Sequence, residues 1–264
     1  MLVFAAHVPH TPLLIPSIGR ENTELLKKTQ EALKIVAEEL YATRPEVVVI
    51  LAEHGNPASN AFAINLNDKY QTDLSDFGDL VIKNEYISEL AGIDRLQRFV
   101  RHSQIPFTLF SDPSLGHAVA VPLITLTEKL KKITVLPLFA ANELSAKAHF
   151  ELGQNLREIF SASEKRIAVI SAGDLSHALS SNAPAGLHSE GLEFDTAVRQ
   201  ALNNVTASGL LQIDEKIITQ AAECAYHPIL IALGLLEGVS VRSEELCYEA
   251  PFGVGYLTTV FHLS

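Results

Sequence analysis

The sequence has no tryptophan, a single methionine and only two cysteines in 264 residues. Two cysteines, Cys224 and Cys247, are too few for a disulfide framework and lack zinc-finger spacing, so a reducing compartment is expected. Basic residues are also short, 20 Lys and Arg against 31 Asp and Glu, for a formal net charge of -11. They are scattered along helix patterns instead of clustered, which argues against nucleic acid as a partner. Long apolar runs are missing as well. None reaches the ~18 to 20 residues of a spanning helix. Met1 leads directly into a short strand pattern, with no basic segment and long apolar core. The expectation is a cytoplasmic protein with no membrane partner. What is abundant is apolar side chain, 47% of the residues against 19% charged, enough for a deep core and too much for a disordered chain. With no composition break to mark a linker, residues 1–264 read as a single domain.

Taken in order, the chain alternates strand and helix patterns. Leu2 to Ala6 reads as a strand, Asn22 to Ala42 as an amphipathic helix, and Val47 to Leu51 as a strand buried on both faces. Ala61 to Leu66 reads as an irregular strand, and Asp68 to Gly78 as a surface loop with solvated acids. A helix pattern covers Tyr86 to His102, a strand Phe107 to Phe110, and a buried helix Ala118 to Leu130 in which Pro122 should fall in the first turn. Strand Ile133 to Leu138, helix Glu143 to Phe160 and strand Ile167 to Ile170 follow, then helices near Ser189 to Asn203 and Ile229 to Leu236. Val239 to Tyr248 and Val254 to His262 close the chain as a hairpin. The fold expected is α/β, a mixed and mainly parallel central sheet with helices on both faces. The hairpin should add an antiparallel pair at one edge.

Four histidines share one kind of place. His10, His54, His117 and His177 each lie on a turn after a strand pattern, the edge where open α/β sheets bind ligands. Glu223 and Cys224 lie near the start of the helix that Pro228 opens. Two neutral imidazoles and one carboxylate form a set suited to non-haem Fe(II) with open positions. On this reading His10 and His54 are the metal ligands because they end adjacent strands. Glu223 is the favoured third ligand and Cys224 its rival, since a helix N-terminus favours a thiolate; zinc or copper is the alternative metal. His102, His149, His188 and His262 fall on helix or strand surfaces without converging partners, and His7 can face either the site or the core.

Pro9-His10-Thr11-Pro12-Leu13, Leu115-Gly116-His117 followed by Val121-Pro122-Leu123, and Gly173-Asp174-Leu175-Ser176-His177 carry a resemblance. With the closing stretch Tyr248 to Tyr256, they make nearly the whole chain resemble the class III extradiol ring-cleavage dioxygenases of the catalytic-subunit type. The resemblance implies cleavage of a catechol-type ring by Fe(II) and O2. It also implies His10 and His54 as ligands, with His117 and His177 as acid and base beside the metal. In such a scheme His177 takes a proton from the bound hydroxyl and later returns it. The chain departs from the family in reading Gly116-His117-Ala118 where members commonly have Asp-His-Gly. The segment around Cys224 and Pro228 also resembles the Memo-like branch, which implies a Cys ligand and a metal-binding protein without ring cleavage. The partners implied are a small aromatic substrate and O2. Whether the chain forms a homo-oligomer or needs a small partner subunit is left open by the sequence.

Overall fold

The protein was analysed as a computed structural model describing residues 1–264. The first strand, β1 (Leu2–Val8), is followed by a short helix α1 (Pro16–Gly19), a 3-10 segment, and α2 (Lys27–Ala42), which leads into β2 (Val47–Ala52). Short strands β3 (Phe62–Asn65), β4 (Lys69–Thr72) and β5 (Glu85–Ser88) precede α3 (Leu90–His102). Then come β6 (Phe107–Phe110), β7 (Ser114–Leu115), α4 (His117–Leu126), β8 (Thr134–Phe139), α5 (Ala146–Ser161) and β9 (Ile167–Ala172). The remainder is α6 (Ser189–Asn203), α7 (Glu215–Ala221), α8 (Tyr226–Leu236), β10 (Val241–Glu249) and β11 (Tyr256–Leu263).

All the strands join one sheet, whose main path runs β10-β11-β1-β9-β2-β8-β5-β4-β7, with β3 and β6 branching from β8. The centre is parallel: β1 pairs with β9, β9 with β2, and β2 with β8. The hairpin β10/β11 adds antiparallel pairing on the β1 side, as the alternating closing segments suggest. The sequence reading made β1 and β2 neighbours; in the structure β9 lies between them. The Gly173 to His177 turn after β9 is thereby set between the turns that carry His10 and His54.

Burial on both faces explains the unbroken apolar strands. Along β2, Val47, Val49 and Leu51 join the core on one face, with Leu152, Leu156 and the side chains of α8. Val48, Ile50 and Ala52 join the core on the other, with Leu33, Val36 and Leu40 of α2 and Val119 to Leu123 of α4. Helices therefore cover both faces of this single α/β domain, and alternate residues of each strand serve opposite cores. Helix α8 is apolar all round and is the most enclosed of the helices, buried at Tyr226 and from Pro228 to Leu236.

Four local expectations change. Tyr86 to Ser88, read as the start of a helix, belong to strand β5, and α3 begins at Leu90. Helix α4 ends at Leu126, and Pro122 lies in its interior, not its first turn. A proline there removes the N-H that would bond the Ala118 carbonyl, a cost offset by burial of the apolar run Ala118 to Leu123 around it. The segment from Asp68 to Gly78 holds β4, where Tyr70 and Thr72 are buried alternately, and a 3-10 turn at Ser75–Phe77. His149, expected on a helix surface, is fully buried. Its Nδ1 bonds the Ser145 carbonyl at 2.9 Å and its Nε2 accepts from the Ala141 N-H at 3.2 Å.

Candidate metal centre

The carboxyl ends of β1, β2 and β9 face a common point, and each contributes a turn to it. Pro9 precedes His10 and Pro12 opens a 3-10 turn two residues on, so His10 lies on an irregular segment between strand and turn. The His10 N-H donates to Asp174 Oδ1 at 2.9 Å, which ties the turn after β1 to the turn after β9. Gly173, the first residue of the β9 turn, allows a close approach by the Cys224 segment. A Cβ at Gly173 would stand 2.6 Å from both the Cys224 carbonyl oxygen and Ala225 Cα. Through this gap Cys224 N donates to the Asp174 carbonyl at 3.2 Å, and Asp174 N donates to Cys224 Sγ at 3.3 Å.

His10, His54 and Cys224 each offer one donor atom, all within 4.8 Å of one another, an arrangement that could hold a metal ion. Cys224 Sγ and His10 Nε2 are 3.1 Å apart. His117, at the start of α4, completes a ring cluster with centroids 5.1 Å from His10 and 5.4 Å from His54. His177 lies on the β9 turn, close enough to His10 to disfavour its charged form and close enough to His54 to feel its field. All four histidines of the sequence reading therefore converge on one site.

The two candidates for the third donor point differently. Glu223 Oε2 accepts the N-H groups of Ala225 and Tyr226 at 2.6 Å each, so its carboxylate caps the entry to α8. Its neighbour Cys224 is the one whose ligand atom joins the histidines. Burial and the nearby Glu53 carboxylate both push the Glu223 carboxyl above the usual range.

Burial holds the His10, His117 and His177 imidazoles neutral, with lone pairs available for a cation. The His10 pKa is pushed well below its ordinary value by burial and then by His117, His54 and His177. That of His117 falls to about 4, mainly by burial, and that of His177 is lowered by burial as well. Burial drives the Cys224 thiol well above its usual range, followed by the negative field of Asp174 and Glu223. Asp174 itself rises to about 7 by burial, partly offset by the backbone N-H groups of His10 and Thr11. A buried thiol surrounded by acids is a poor place for a lone anion and a good one for a thiolate neutralised by a cation. His10 Nδ1 and His177 Nδ1 are buried without a protein partner. The donor set therefore fits a metal.

A cavity of about 330 Å³ opens beside the cluster. His54, His117, Phe110 and Phe139 line it, together with Asp73, Asp76 and Asp112. Phe77 stands over His117 with ring centroids 4.9 Å apart. Sequence reasoning placed none of these phenylalanines or acids at the site, since all but Phe139, the last residue of β8, come from the short strands and turns between β2 and α4. It also passed over His227, whose Nδ1 is 3.2 Å from Glu53 Oε2 and whose ring stacks on His149 at 4.2 Å. The adjacent Pro228, which marks the start of α8, was the available signal.

Comparison with known proteins shows the family. The family model described as the catalytic LigB subunit of aromatic ring-opening dioxygenase matches residues 3–260. The chain belongs to this family. Membership places it in the class III extradiol dioxygenase superfamily, related to the Memo-like fold. A protein of Clostridium acetobutylicum is 27% identical over 258 residues, 94% of this chain. The chain spans about half of that relative's length, 55%. Among solved structures, an uncharacterized protein of Escherichia coli K12 shares the fold with a TM-score of 0.62 at 16% identity, over 98% of this chain and 99% of the other. No helix of the LigB-family chain is long and apolar enough to cross a membrane.

Proposed function

We propose that this LigB-family protein binds a single metal ion through His10, His54 and Cys224, and that metal binding of the Memo-like kind describes it better than iron-dependent ring cleavage. The observation that carries the reading is the thiol of Cys224 in the donor cluster, with the Glu223 carboxylate engaged at the start of α8. A set of two imidazoles and one thiolate is softer than two imidazoles and a carboxylate, and it suits zinc or Cu(I) as well as Fe(II). The bound ion would supply Lewis acidity or, if redox-active, electron exchange with whatever occupies the adjoining cavity. Neutral His117 and His177 flank that position. Each can accept a proton from an acidified ligand hydroxyl and give it back.

The second reading, extradiol cleavage of a catechol-type ring with Fe(II) and O2, draws support from the family match and from the cavity beside His54 and His117, with Phe110 and Phe139 in its wall. Anaerobic titration with Fe(II), Zn(II) and Cu(I) tests the first reading, with metal content measured after desalting. One equivalent is expected in the wild type and a large loss in Cys224→Ser. Full metal retention by Cys224→Ser would refute it. Oxygen uptake with formation of a yellow ring-opened product, in a catechol panel run on the Fe(II) form, would move the assignment to the second reading.

A further inference from the structure

A second cavity, of about 320 Å³, lies at the opposite edge of the sheet, where the central strands begin. Its floor is Val47 and Val49 of β2, Leu136 of β8 and Ile167 of β9, and Ile159 and Phe160 of α5 close one side. All of these belong to the core on that face of the sheet. Helices α3 and α5 do not close over them, because the facing lips carry small residues, Ala91 and Gly92 on one and Ala162 and Ser163 on the other. His54 follows the far end of β2, so the length of that strand, roughly 20 Å at ~3.3 Å per residue, separates this cavity from the metal centre.

Four charged side chains line the same wall, Glu89, Arg95, Glu164 and Lys165. Two of them cancel. Glu89 is only 4% exposed, and its oxygens take the Lys165 ammonium at 2.7 and 2.8 Å, the Gly92 N-H at 3.2 Å and the Thr134 hydroxyl. The other two stay open. Arg95 on α3 and Glu164 on the turn after α5 are exposed, and neither is paired with another side chain; Asp94, the acid beside Arg95, is engaged by Arg98 at 2.8 Å. The cavity thus combines a deep apolar floor with one free guanidinium and one free carboxylate.

That combination selects among ligands. An apolar anion would gain from Arg95 and be repelled by Glu164, and an apolar cation the reverse. A zwitterion with an apolar body uses all three parts: the guanidinium fork matches a carboxylate, Glu164 accepts from an ammonium group, and the floor buries the rest. A free amino acid is the smallest molecule of this kind.

We infer that this cavity binds a free α-amino acid with an apolar side chain, its carboxylate on Arg95, its ammonium on Glu164 and its side chain on the sheet floor. The site stands apart from the metal centre and does not depend on what that centre does.

The probe is L-phenylalanine, compared with phenylpropionate, which lacks the ammonium, with phenethylamine, which lacks the carboxylate, and with L-serine, which keeps both charges without the apolar body. Binding is measured by calorimetry on the full chain, as purified and again after metal removal with a chelator. L-Phenylalanine should bind with one equivalent to both forms, and each truncated analogue should bind about fivefold more weakly, the upper range of an exposed ion pair. L-Serine should be at least about tenfold weaker, for want of a side chain to bury. Arg95→Gln should weaken L-phenylalanine and phenylpropionate by about fivefold and phenethylamine not at all, whereas Glu164→Gln should weaken L-phenylalanine and phenethylamine and spare phenylpropionate. Both positions are exposed, so circular dichroism should show the wild-type fold in each variant. Absence of L-phenylalanine binding overturns the inference, as does an analogue that binds equally well, a loss that departs from this crossed pattern, or binding that vanishes with the metal.

Discussion

Replacing Glu223 by alanine separates the structural role of this carboxylate from a metal-binding one. Its Oε2 takes two short hydrogen bonds from the backbone of Ala225 and Tyr226, both buried, at the start of the helix most deeply enclosed by the core. Removing a side-chain cap costs roughly 0.5 to 2 kcal/mol. The raised pKa of Glu223 leaves the acid largely uncharged at neutral pH, so each bond is credited with the ~1 kcal/mol of an ordinary hydrogen bond. Against this stands the unfavourable burial of the acid beside Glu53, which the substitution relieves. The net expectation for Glu223→Ala is a loss of about 2 kcal/mol, or a drop in Tm of roughly 4 to 8 °C for a chain of this size. Metal stoichiometry should be retained. Glu223→Gln keeps an acceptor oxygen and removes the repulsion with Glu53, so it should lose less than about 1 kcal/mol. Thermal unfolding monitored by far-UV circular dichroism, with metal content measured on the same samples, decides the matter. An unchanged Tm in Glu223→Ala, or loss of the ion from a folded Glu223→Ala protein, would refute the assignment of this carboxylate to capping.

At Gly173, alanine would press its Cβ into the Cys224 carbonyl and Ala225 Cα; metal affinity should fall at least about tenfold with the fold kept, as read by competition with a chelator. At Gly153, where α5 packs on α8, a Cβ would run into the Ile231 carbonyl and the Leu235 N-H, backbone atoms that no rotamer change can move. Gly153→Ala should therefore destabilise by about 2 kcal/mol or more in urea unfolding, overpacking outweighing the roughly 1 kcal/mol that alanine gains in a helix. For His149, burial and the neighbouring His227 hold the pKa at about 3, far below the ordinary value, so the unfolded chain binds this proton more readily than the folded one. Its contribution to stability is present above pH 6.5 and lost as pH falls toward 3, about 2 kcal/mol of it by pH 5. His149→Phe should be less stable at pH 7 yet show a flatter loss between pH 7 and 5, and an unchanged slope would contradict the linkage.

Much of the architecture is legible in the chain because the strands that build its centre are apolar on both faces. Val47 to Leu51 and Ile167 to Ile170 admit no half-exposed reading, and the parallel sheet with helices on both sides follows from them. The convergence of His10, His54, His117 and His177 was legible for the same reason, since each follows a strand and strand ends share an edge. Strand order was not legible. Crossover lengths permit β9 to enter between β1 and β2, and local pattern does not register the insertion. Nor did a surface pattern disclose the buried His149, whose polar nitrogens are satisfied by Ser145, one turn back at the start of α5, and by Ala141, which becomes a neighbour only when α5 closes on the β8 end. The cavity wall was hidden for a related reason. Asp76 and Asp112 sit on turns with no periodicity, and only the pairing of β4 with β7 brings those turns together.

The choice between carboxylate and thiol at the centre is a matter of one residue of register, and backbone hydrogen bonds fix that register. Cys224 N is held by the Asp174 carbonyl, while Asp174 N reaches back to Cys224 Sγ, so residue 224 is the one clamped against the β9 turn. Its predecessor must then point the other way, and there it finds the unpaired N-H groups that open α8. Asp174 also receives the His10 N-H. A single turn thus positions two of the three donor atoms, one through its side chain and one through its backbone. The donor geometry is consequently coupled to the β9 turn more tightly than to the helices around it. Substitutions that shift this turn should disturb the thiol and the His10 imidazole together, whereas His54, which arrives from β2 on the other side, should keep its place.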